Sequence, residues 1–407
     1  MSPFQLTALF MLLVAAGGWI NARTLRLPRE VAMLLVGLAG ALTLWVLGRI
    51  APELTAPAVT MGAIKDINFT DTVLGYMLGF LLFAGATQVN LGEMRKQLGS
   101  VSTLATAGVG ASILIVGFGL QYVAHGLGLP LSIGWALVFG ALISPTDPIA
   151  VLATVKRGSL SKSLQALIQG EALFNDGVGI VAFTSLLAFA AGQGKESPLK
   201  LIGFVFVDAI GALLLGLAAG VVAIRAMKSI DDFALEVTVS IALCMGVYAS
   251  AEALHLSGPI GVVGAGLLMG SVFSLPSRSY LRSFWTLVDE IMNAILFLLL
   301  GFETLVVPFR RGQPGLIAAS IVLVLLARIV VIAPWAIGLR KREPGAGAIL
   351  VWGGLHGALS LALALSIPQG PERALILSAT YAVVAFSMIV QGLSFGPLTS
   401  MLARKVQ

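Results

Sequence analysis

Long apolar stretches separated by short polar loops run through the whole chain. Most stretches reach about 18 residues or more, the length that a helix needs to cross a bilayer and more than a barrel strand requires. The pattern therefore predicts an all-α polytopic membrane protein with about 13 transmembrane helices. The predicted spans are residues 5–21, 30–48, 71–89, 101–124, 132–154, 164–190, 201–224, 233–253, 258–275, 285–305, 314–338, 346–366 and 374–401.

Composition supports a membrane protein and excludes several other classes. Of 407 residues, 58% are hydrophobic and 11% are charged, whereas soluble proteins are about a quarter charged. The net charge of +6 does not indicate a nucleic-acid-binding domain, because the basic residues lie in short loops. The single cysteine, Cys244, excludes an intrachain disulfide. No Lys or Arg precedes the apolar run 6–20, so we expect a retained first span and not a signal peptide.

The distribution of Lys and Arg predicts the topology. The odd-numbered loops and the C-terminal tail hold 17 of these residues, the N-terminus and the even-numbered loops hold 7, and Arg328 lies inside a span. Cytoplasmic loops carry the excess of positive charge. We therefore expect the N-terminus outside and the C-terminus in the cytoplasm.

Two predicted spans are interrupted in their apolar middles. The fifth contains ISPTDP at 143–148, where Pro145 and Pro148 cannot continue a helix, and the twelfth contains GGLHGALS at 353–360. The fifth and twelfth spans would be equivalent members of two six-helix repeats, spans 1–6 and 8–13. Because equivalent spans are seven apart, an odd number, the second repeat would be inverted relative to the first. Paired broken helices in inverted repeats indicate a transporter site near the middle of the membrane.

Ionisable residues inside spans are functional candidates, because each costs roughly 2.5–3.5 kcal/mol to insert. The deeply placed set is Asp147, Glu171, Asp176, Asp208, Arg328 and His356. Four other acids lie nearer the predicted span ends, where a solvated or capping role also accounts for them: Glu252, Asp289, Glu290 and Glu303.

The segment GEALFNDG at 170–177 carries two of the deep acids. On a helix, Glu171 and Asn175 share a face, whereas Asp176 points about 140° away from Glu171. The two carboxylates therefore need separate partners. Glu171 is expected to pair with Arg328, because a buried charge is tolerated when it is paired. Asp176 suits a site where a proton or a metal cation neutralises the carboxylate; a buried acid satisfied by hydroxyl groups is the structural alternative.

The ISPTDP break supplies oxygen ligands. An interrupted helix exposes carbonyls and the Thr146 hydroxyl, which together with the Asp176 carboxylate suit a hard monovalent cation such as Na⁺. Asp147 lies at the break, where it either balances the helix-dipole ends or lies near the ion. A proline kink with Asp147 as its cap is the structural alternative.

Four motifs in this order resemble the cation:proton antiporter-1 family, the sodium/proton exchangers, in its bacterial NhaP-like branch: SPTDP, GEALFNDG, LLARIVVI and WGGLHGALSLALAL. The resemblance covers nearly the whole chain. It implies a thirteen-helix antiporter fold, with a dimerisation domain and a mobile six-helix core that moves like an elevator. It further implies that Asp176 binds the cation or the proton and that Asn175 and Thr146 shape the site. Asp147 would belong to the crossing helices, and Glu171 would pair with Arg328.

The resemblance also implies a function and an organisation. We expect secondary active exchange of Na⁺, or of Li⁺ or K⁺, for H⁺ without a cofactor. Exchange would be electroneutral, because Asn175 stands where related electrogenic antiporters have a second Asp. Core transport helices would occupy approximately 71–190 and 285–401, and the dimerisation, scaffold and linker helices 1–70 and 201–275. The expected setting is a homodimer in the inner membrane of a bacterium, serving pH homeostasis.

Two positions depart from the family pattern. His356 stands where the family usually has Arg, so a permanent cation is replaced by a group that titrates near neutral pH. This histidine is either a neutral hydrogen-bonding residue or a contributor to pH sensitivity. Ala84 stands where the family often has the acid of LLFEAG, and this leaves the ion preference open.

Other function classes fit the sequence less well. A channel needs a continuous pore, usually built by a symmetric oligomer. An enzyme needs a nucleophile–base pair or a metal-ligand cluster, and neither pattern is found in the sequence. A sodium-coupled solute symporter and a potassium/proton antiporter are the alternatives to sodium/proton exchange.

Overall fold

The computed structural model describes residues 3–50, 77–147, 151, 160–192, 198–272, 279–303, 313–339 and 343–404. These residues form helices joined by short connections. The helices are α1 (Pro3–Ile20), α2 (Arg29–Ile50), α3 (Leu78–Gln88), α4 (Leu91–Lys96), α5 (Leu98–Gly126), α6 (Ile133–Ile143), α7 (Lys162–Ala190), α8 (Pro198–Lys228), α9 (Phe233–Ala253), α10 (Gly258–Val272), α11 (Ser279–Glu303), α12 (Gln313–Leu339), α13 (Ala346–Trp352), α14 (Ala358–Leu365), α15 (Pro371–Phe386) and α16 (Gly392–Arg404).

The all-helical membrane architecture predicted from the sequence is confirmed. Within the described ranges, nine helical runs are long and apolar enough to cross a membrane: α1, α2, α5, α7, α8, α9, α11, α12 and the continuous run from α15 into α16. Helices α3, α6 and α10 are apolar but shorter. Each predicted span overlaps a helix or a pair of half-helices, while the count of thirteen crossings stays a prediction. Parts of four predicted spans lie outside the described residues: 71–76, 148–150 with Pro148, 152–154, 273–275 and 304–305.

Several helix boundaries follow from local chemistry. The side chains of Ser161 and Asp232 accept hydrogen bonds from the first free N–H groups of α7 and α9, as N-caps do. Pro371 begins α15, where its missing N–H is not needed. Gly345 precedes α13 with φ +88°, a conformation that glycine adopts without steric cost.

Both predicted breaks are present. Helix α6 ends at Ile143, and the chain is non-helical from Ser144 onward to Asp147. Helix α13 ends at Trp352 and α14 begins at Ala358, so residues 353–357 also leave the helix. The two non-helical segments meet in an antiparallel bridge between Asp147 and Leu355. An antiparallel crossing is the arrangement that inverted repeats predict.

The helices pack in two groups. Helices α2, α3, α8, α9, α10 and α11 form one group, with the most extensive contacts at α8–α10, α2–α11 and α3–α10. Helices α5, α6, α7 and α12 pack around the breaks, and α12 also packs on α13 and α15. Although α3 and most of α11 lie inside the predicted core ranges, they pack mainly on the first group.

Glycine allows α2 and α11 to approach unusually closely. A Cβ atom added at Gly301 would lie 2.5 Å from the Leu34 carbonyl oxygen and 2.6 Å from the Gly37 Cα atom. A Cβ atom at Gly37 would in turn collide with the Leu298 carbonyl oxygen. Small residues at such contacts let helix backbones pack tightly in lipid, where van der Waals contact is a main source of association.

We therefore expect Gly301→Ala to destabilise the protein by about 1–3 kcal/mol, because the added methyl group meets backbone atoms that cannot rotate away. Gly246→Ala is the matched control, since a Cβ atom there meets nothing within 4 Å. Thermal unfolding in a mild detergent, followed by tryptophan fluorescence, measures both. Equal midpoints for the two variants would contradict the close packing of α2 and α11.

Candidate functional site

Two of the backbone groups freed at the crossing form hydrogen bonds with neighbouring elements. The Asp147 N–H donates to the Leu355 carbonyl at 2.7 Å. The Asn175 amide nitrogen on α7 donates to the Ser144 carbonyl at 2.8 Å. Unsatisfied backbone groups are costly inside a bilayer, so these contacts are what permits non-helical chain at this depth. Asn175 therefore supports the break in the fifth predicted span directly.

The expected pairing of Glu171 with Arg328 is present. The two Arg328 Nη atoms donate to the two Glu171 carboxylate oxygens, with Nη2 and Oε2 at 2.9 Å. Arg328 Nε and Nη2 also donate to the Leu350 carbonyl in the last turns of α13, at 3.1 and 2.9 Å. A Cβ atom at Gly354 would lie 2.5 Å from Arg328 Nε, so the glycine makes room for the guanidinium.

His356 joins the two breaks to each other and to the turn that follows α15. Its backbone N–H donates to the Ser387 hydroxyl at 2.8 Å. Its Nδ1 atom lies 3.2 Å from the Pro145 carbonyl oxygen. Because a carbonyl oxygen only accepts, Nδ1 is the protonated ring nitrogen in this contact. The side chain is buried and makes hydrogen bonds that a neutral imidazole can supply.

A small polar cavity of about 20 Å³ lies beside the crossing. Asn175 is 3% exposed, and its Oδ1 atom has no hydrogen-bond partner within the described part of the chain. Its Nδ2 atom lies 3.5 Å from the Thr146 hydroxyl. The cavity therefore joins the polar groups of the break to the buried ion pair. Its polar lining consists of Ser112, Ser144, Thr146, Glu171, Asn175, Arg328 and His356.

Asp176 is not among the residues that line this cavity. The Asp176 side chain is partly exposed. Among nearby charged groups, Asp147 has the larger electrostatic influence on Asp176 and Glu171 the smaller one. Gly179, one turn along α7, contacts Pro145, where an added Cβ atom would lie 2.7 Å from Cγ. The structure thus brings Asp176 near Asp147, and it brings Thr146 near Asn175. It does not place the expected sodium ligands, Asp176 and Thr146, in the same cavity. Within the described ranges, no three His, Cys, Asp or Glu side chains are arranged to hold a metal ion.

One acid differs from its sequence assignment, and a second has a structural partner. Asp289 was expected near a span end, but it is 5% exposed and accepts a hydrogen bond from Asn293. The reason is that α11 begins at Ser279 and not near residue 285, which places Asp289 more than two turns inside the helix. The i, i+4 spacing of Asp289 and Asn293 was the available signal. Asp208, grouped with the functional candidates, accepts a hydrogen bond from the Ser257 N–H just before α10.

Comparisons with known proteins agree with this architecture. The chain is 39% identical to the Na⁺/H⁺ antiporter NhaP of Pseudomonas aeruginosa over 97% of its own length and 96% of that protein. It is 34% identical to the Na⁺/H⁺ antiporter NhaH of Halobacillus aidingensis over 93% and 92% of the two chains. The sodium proton antiporter MjNhaP1 of Methanocaldococcus jannaschii has the same fold, with a TM-score of 0.77 at 21% identity, covering 99% of this chain and all of that one.

The family profile described as sodium/hydrogen exchanger, transmembrane, matches residues 9–401, which is nearly the entire chain. The match includes both broken segments, the GEALFNDG helix and Arg328. It also includes His356, the departure noted in the twelfth predicted span. The chain belongs to the sodium/hydrogen exchanger family.

Proposed function

We propose that this protein is a secondary active antiporter that exchanges Na⁺ for H⁺ across a membrane. The observation that carries the proposal is Asp176, a carboxylate inside a membrane helix beside the crossing of two broken helices. A charge at this depth is costly unless a partner neutralises it. A proton and a sodium ion can each do so, and they cannot occupy the carboxylate together.

We assign roles to the other site residues on the same basis. Asp147, within electrostatic reach of Asp176, is the second ion- or proton-binding acid. Asn175 and Thr146 hold the broken segment in shape, since Asn175 bonds the Ser144 carbonyl. Ligation of Na⁺ by Thr146 together with Asp176 stays part of the proposal, and it requires the broken segment to shift relative to α7. Glu171 and Arg328 serve as a structural ion pair.

Alternating access would follow from movement of the crossing helices against a scaffold. The helices packed around the breaks, α5 to α7 and α12 to α16, form the moving unit within the ranges 71–190 and 285–401. Helices α1, α2 and α8 to α10, within 1–70 and 201–275, form the scaffold. The packing of α3 and α11 favours counting them with that scaffold. Replacing one Na⁺ by one H⁺ leaves the charge of the moving unit unchanged, so exchange would be electroneutral.

The setting that fits this exchange is a homodimer in the inner membrane of a bacterium, with the N-terminus outside. The excess of basic residues in the odd-numbered loops supports that orientation. The bacterial relatives named above support sodium as the cation. Those relatives support neither of the two alternatives left by the sequence, which are a sodium-coupled solute symporter and a potassium/proton antiporter.

The central test is cation-driven proton flux in proteoliposomes containing purified protein. A Na⁺ gradient should drive proton movement at the same rate with and without a potassium/valinomycin clamp of the membrane potential. Asp176→Asn keeps the size of the side chain but cannot ionise, so its flux should fall to the level of empty vesicles. Li⁺ and K⁺, added in turn, rank the cations.

Asp231→Asn is the matched control, because Asp231 is an exposed acid outside the spans. This variant should keep the wild-type flux. Persistent exchange in folded Asp176→Asn would overturn the role of that carboxylate. A flux that follows the imposed potential would overturn electroneutrality.

The ion pair generates a stability prediction. Arg328→Met or Glu171→Gln alone should cost about 3–5 kcal/mol, because each leaves the other member buried without its partner. The double variant Glu171→Gln/Arg328→Met should cost less than the two single changes added together. Thermal unfolding in detergent measures all three.

Glu93→Gln serves as the comparison, because it breaks the more exposed pair of Glu93 with Lys96, whose nitrogen and oxygen lie 2.9 Å apart. A change of about 1 kcal/mol or less is expected there. Additive losses in the double variant would show that Glu171 and Arg328 stabilise the protein independently.

His356 allows a direct test of the pH-sensing hypothesis. His356→Gln retains a hydrogen-bond donor but does not titrate. Because the observed contacts suit a neutral imidazole, we expect the ratio of variant to wild-type exchange rates to stay constant between about pH 5 and pH 8. A ratio that changes steadily across this range would instead assign the histidine a part in pH sensitivity, alongside Glu171 and Arg328 in the same cavity.

A further inference from the structure

A buried carboxylate outside the cavity lies on α11. Asp289 on α11 is 5% exposed. Asn293 Nδ2 donates to its Oδ1 atom at 3.1 Å, and Gln88 Nε2 at the end of α3 donates to its Oδ2 atom at 3.3 Å. Both partners are neutral amides, so they orient the carboxylate without cancelling its charge. Asp289 also lies within electrostatic reach of Asp147 at the crossing.

Another buried acid, Glu30, lies close to Asp289. Glu30, in the first turn of α2, is 7% exposed, and its Oε2 atom has no hydrogen-bond partner within the described ranges. It lies within electrostatic reach of Asp289 and of Glu290. Arg29 is the neighbouring cation, and it is already paired with Glu290 at the surface. Among the residues that the structure describes, neither of the two buried carboxylates, Asp289 and Glu30, forms an ion pair with a cation.

A capping role accounts for only part of this arrangement. An acid in the first turn of a helix is favoured by the helix dipole, and Glu30 meets that description. Asp289, however, lies more than two turns inside α11, where no helix end is available to stabilise it. Buried carboxylates with amide partners and a free oxygen atom form the kind of oxygen-rich group that suits a hard monovalent cation.

Acids that influence one another electrostatically occur both at the surface and at the crossing. Glu290 is about half exposed, with 45% of its side chain accessible. Electrostatic interactions then connect Glu290 with Glu30 and Asp289, Asp289 with Asp147, and Asp147 with Asp176. Acids grouped in this way raise the local concentration of cations and speed their association.

We propose that Asp289 and Glu30 form an accessory site that binds Na⁺ on its way to Asp176. The proposal rests on the sodium/proton exchange proposed above. It adds a second cation-binding site on the side of the membrane where α2 and α11 begin. Because α11 packs on the scaffold, the accessory site stays in place while the crossing helices move. Na⁺ therefore reaches the accessory site from one side of the membrane only, the side predicted to be cytoplasmic.

The test measures the dependence of proton flux on Na⁺ concentration in proteoliposomes. Asp289→Asn should raise the apparent KM for Na⁺ about five- to tenfold and leave the maximal rate within about twofold, because the ion still reaches Asp176 when Na⁺ is abundant. Asp289→Glu retains the charge and should restore most of the affinity. Glu30→Gln, at the first turn of α2, should raise the KM in the same direction.

Glu252→Gln is the control, because it removes an exposed acid from α9 outside this group. It should leave both constants unchanged. An unaltered KM in Asp289→Asn and Glu30→Gln, with wild type active, would overturn the accessory site but not the exchange function. A lower maximal rate and a lower unfolding temperature at constant KM would assign Asp289 a structural role and also overturn the proposal.

These outcomes are distinguishable from failure of the exchange proposal itself. That failure would appear as wild-type protein without Na⁺-driven proton flux, or as unchanged flux in Asp176→Asn. Sidedness gives one further check. Reversing the Na⁺ gradient in vesicles of uniform orientation should expose the KM defect of Asp289→Asn from one side only, and an equal defect from both sides would contradict a fixed accessory site.

Discussion

The arrangement of the crossing depends on how Arg328 is satisfied. A guanidinium buried among membrane helices needs both an opposite charge and acceptors for its N–H groups. Arg328 obtains the charge from Glu171 on α7 and a further acceptor from the Leu350 carbonyl near the end of α13. One side chain on α12 thereby connects a continuous helix to a broken one. It also stabilises the end of α13, next to which the non-helical segment 353–357 begins.

Helix α7 separates two polar environments, because consecutive residues on a helix point about 100° apart. Glu171 and Asn175 line the cavity, where the first pairs with Arg328 and the second bonds the broken segment. Asp176 lies outside that cavity, within electrostatic reach of Asp147. The cavity side is thus held by fixed partners, whereas the Asp176 side concentrates negative charge. This division is consistent with the roles proposed for the two acids, with Glu171 as the structural partner of Arg328 and Asp176 as the carboxylate that binds the cation or the proton.

The sequence was sufficient to predict the helical architecture, both breaks and the partner of Glu171, because each follows from apolar length, proline and glycine placement, or the scarcity of buried cations. It was not sufficient to place Thr146 relative to Asp176, since that depends on which side of α7 the broken segment packs. It also misplaced Asp289, because α11 begins about two turns before its apolar stretch and polar residues such as Arg282 extend the helix. Tertiary packing, not local pattern, decides both points.

The claim at the centre of this account is that a proton and a sodium ion compete for Asp176. The most direct measurement is proton release on adding Na⁺ to purified protein in weakly buffered detergent solution, followed with a pH indicator. Wild type at a pH where the site is protonated should release about one proton per chain as Na⁺ binds, and Asp176→Asn should release none. Binding of Na⁺ by folded wild type without proton release, or equal release from Asp176→Asn, would contradict competition at this carboxylate.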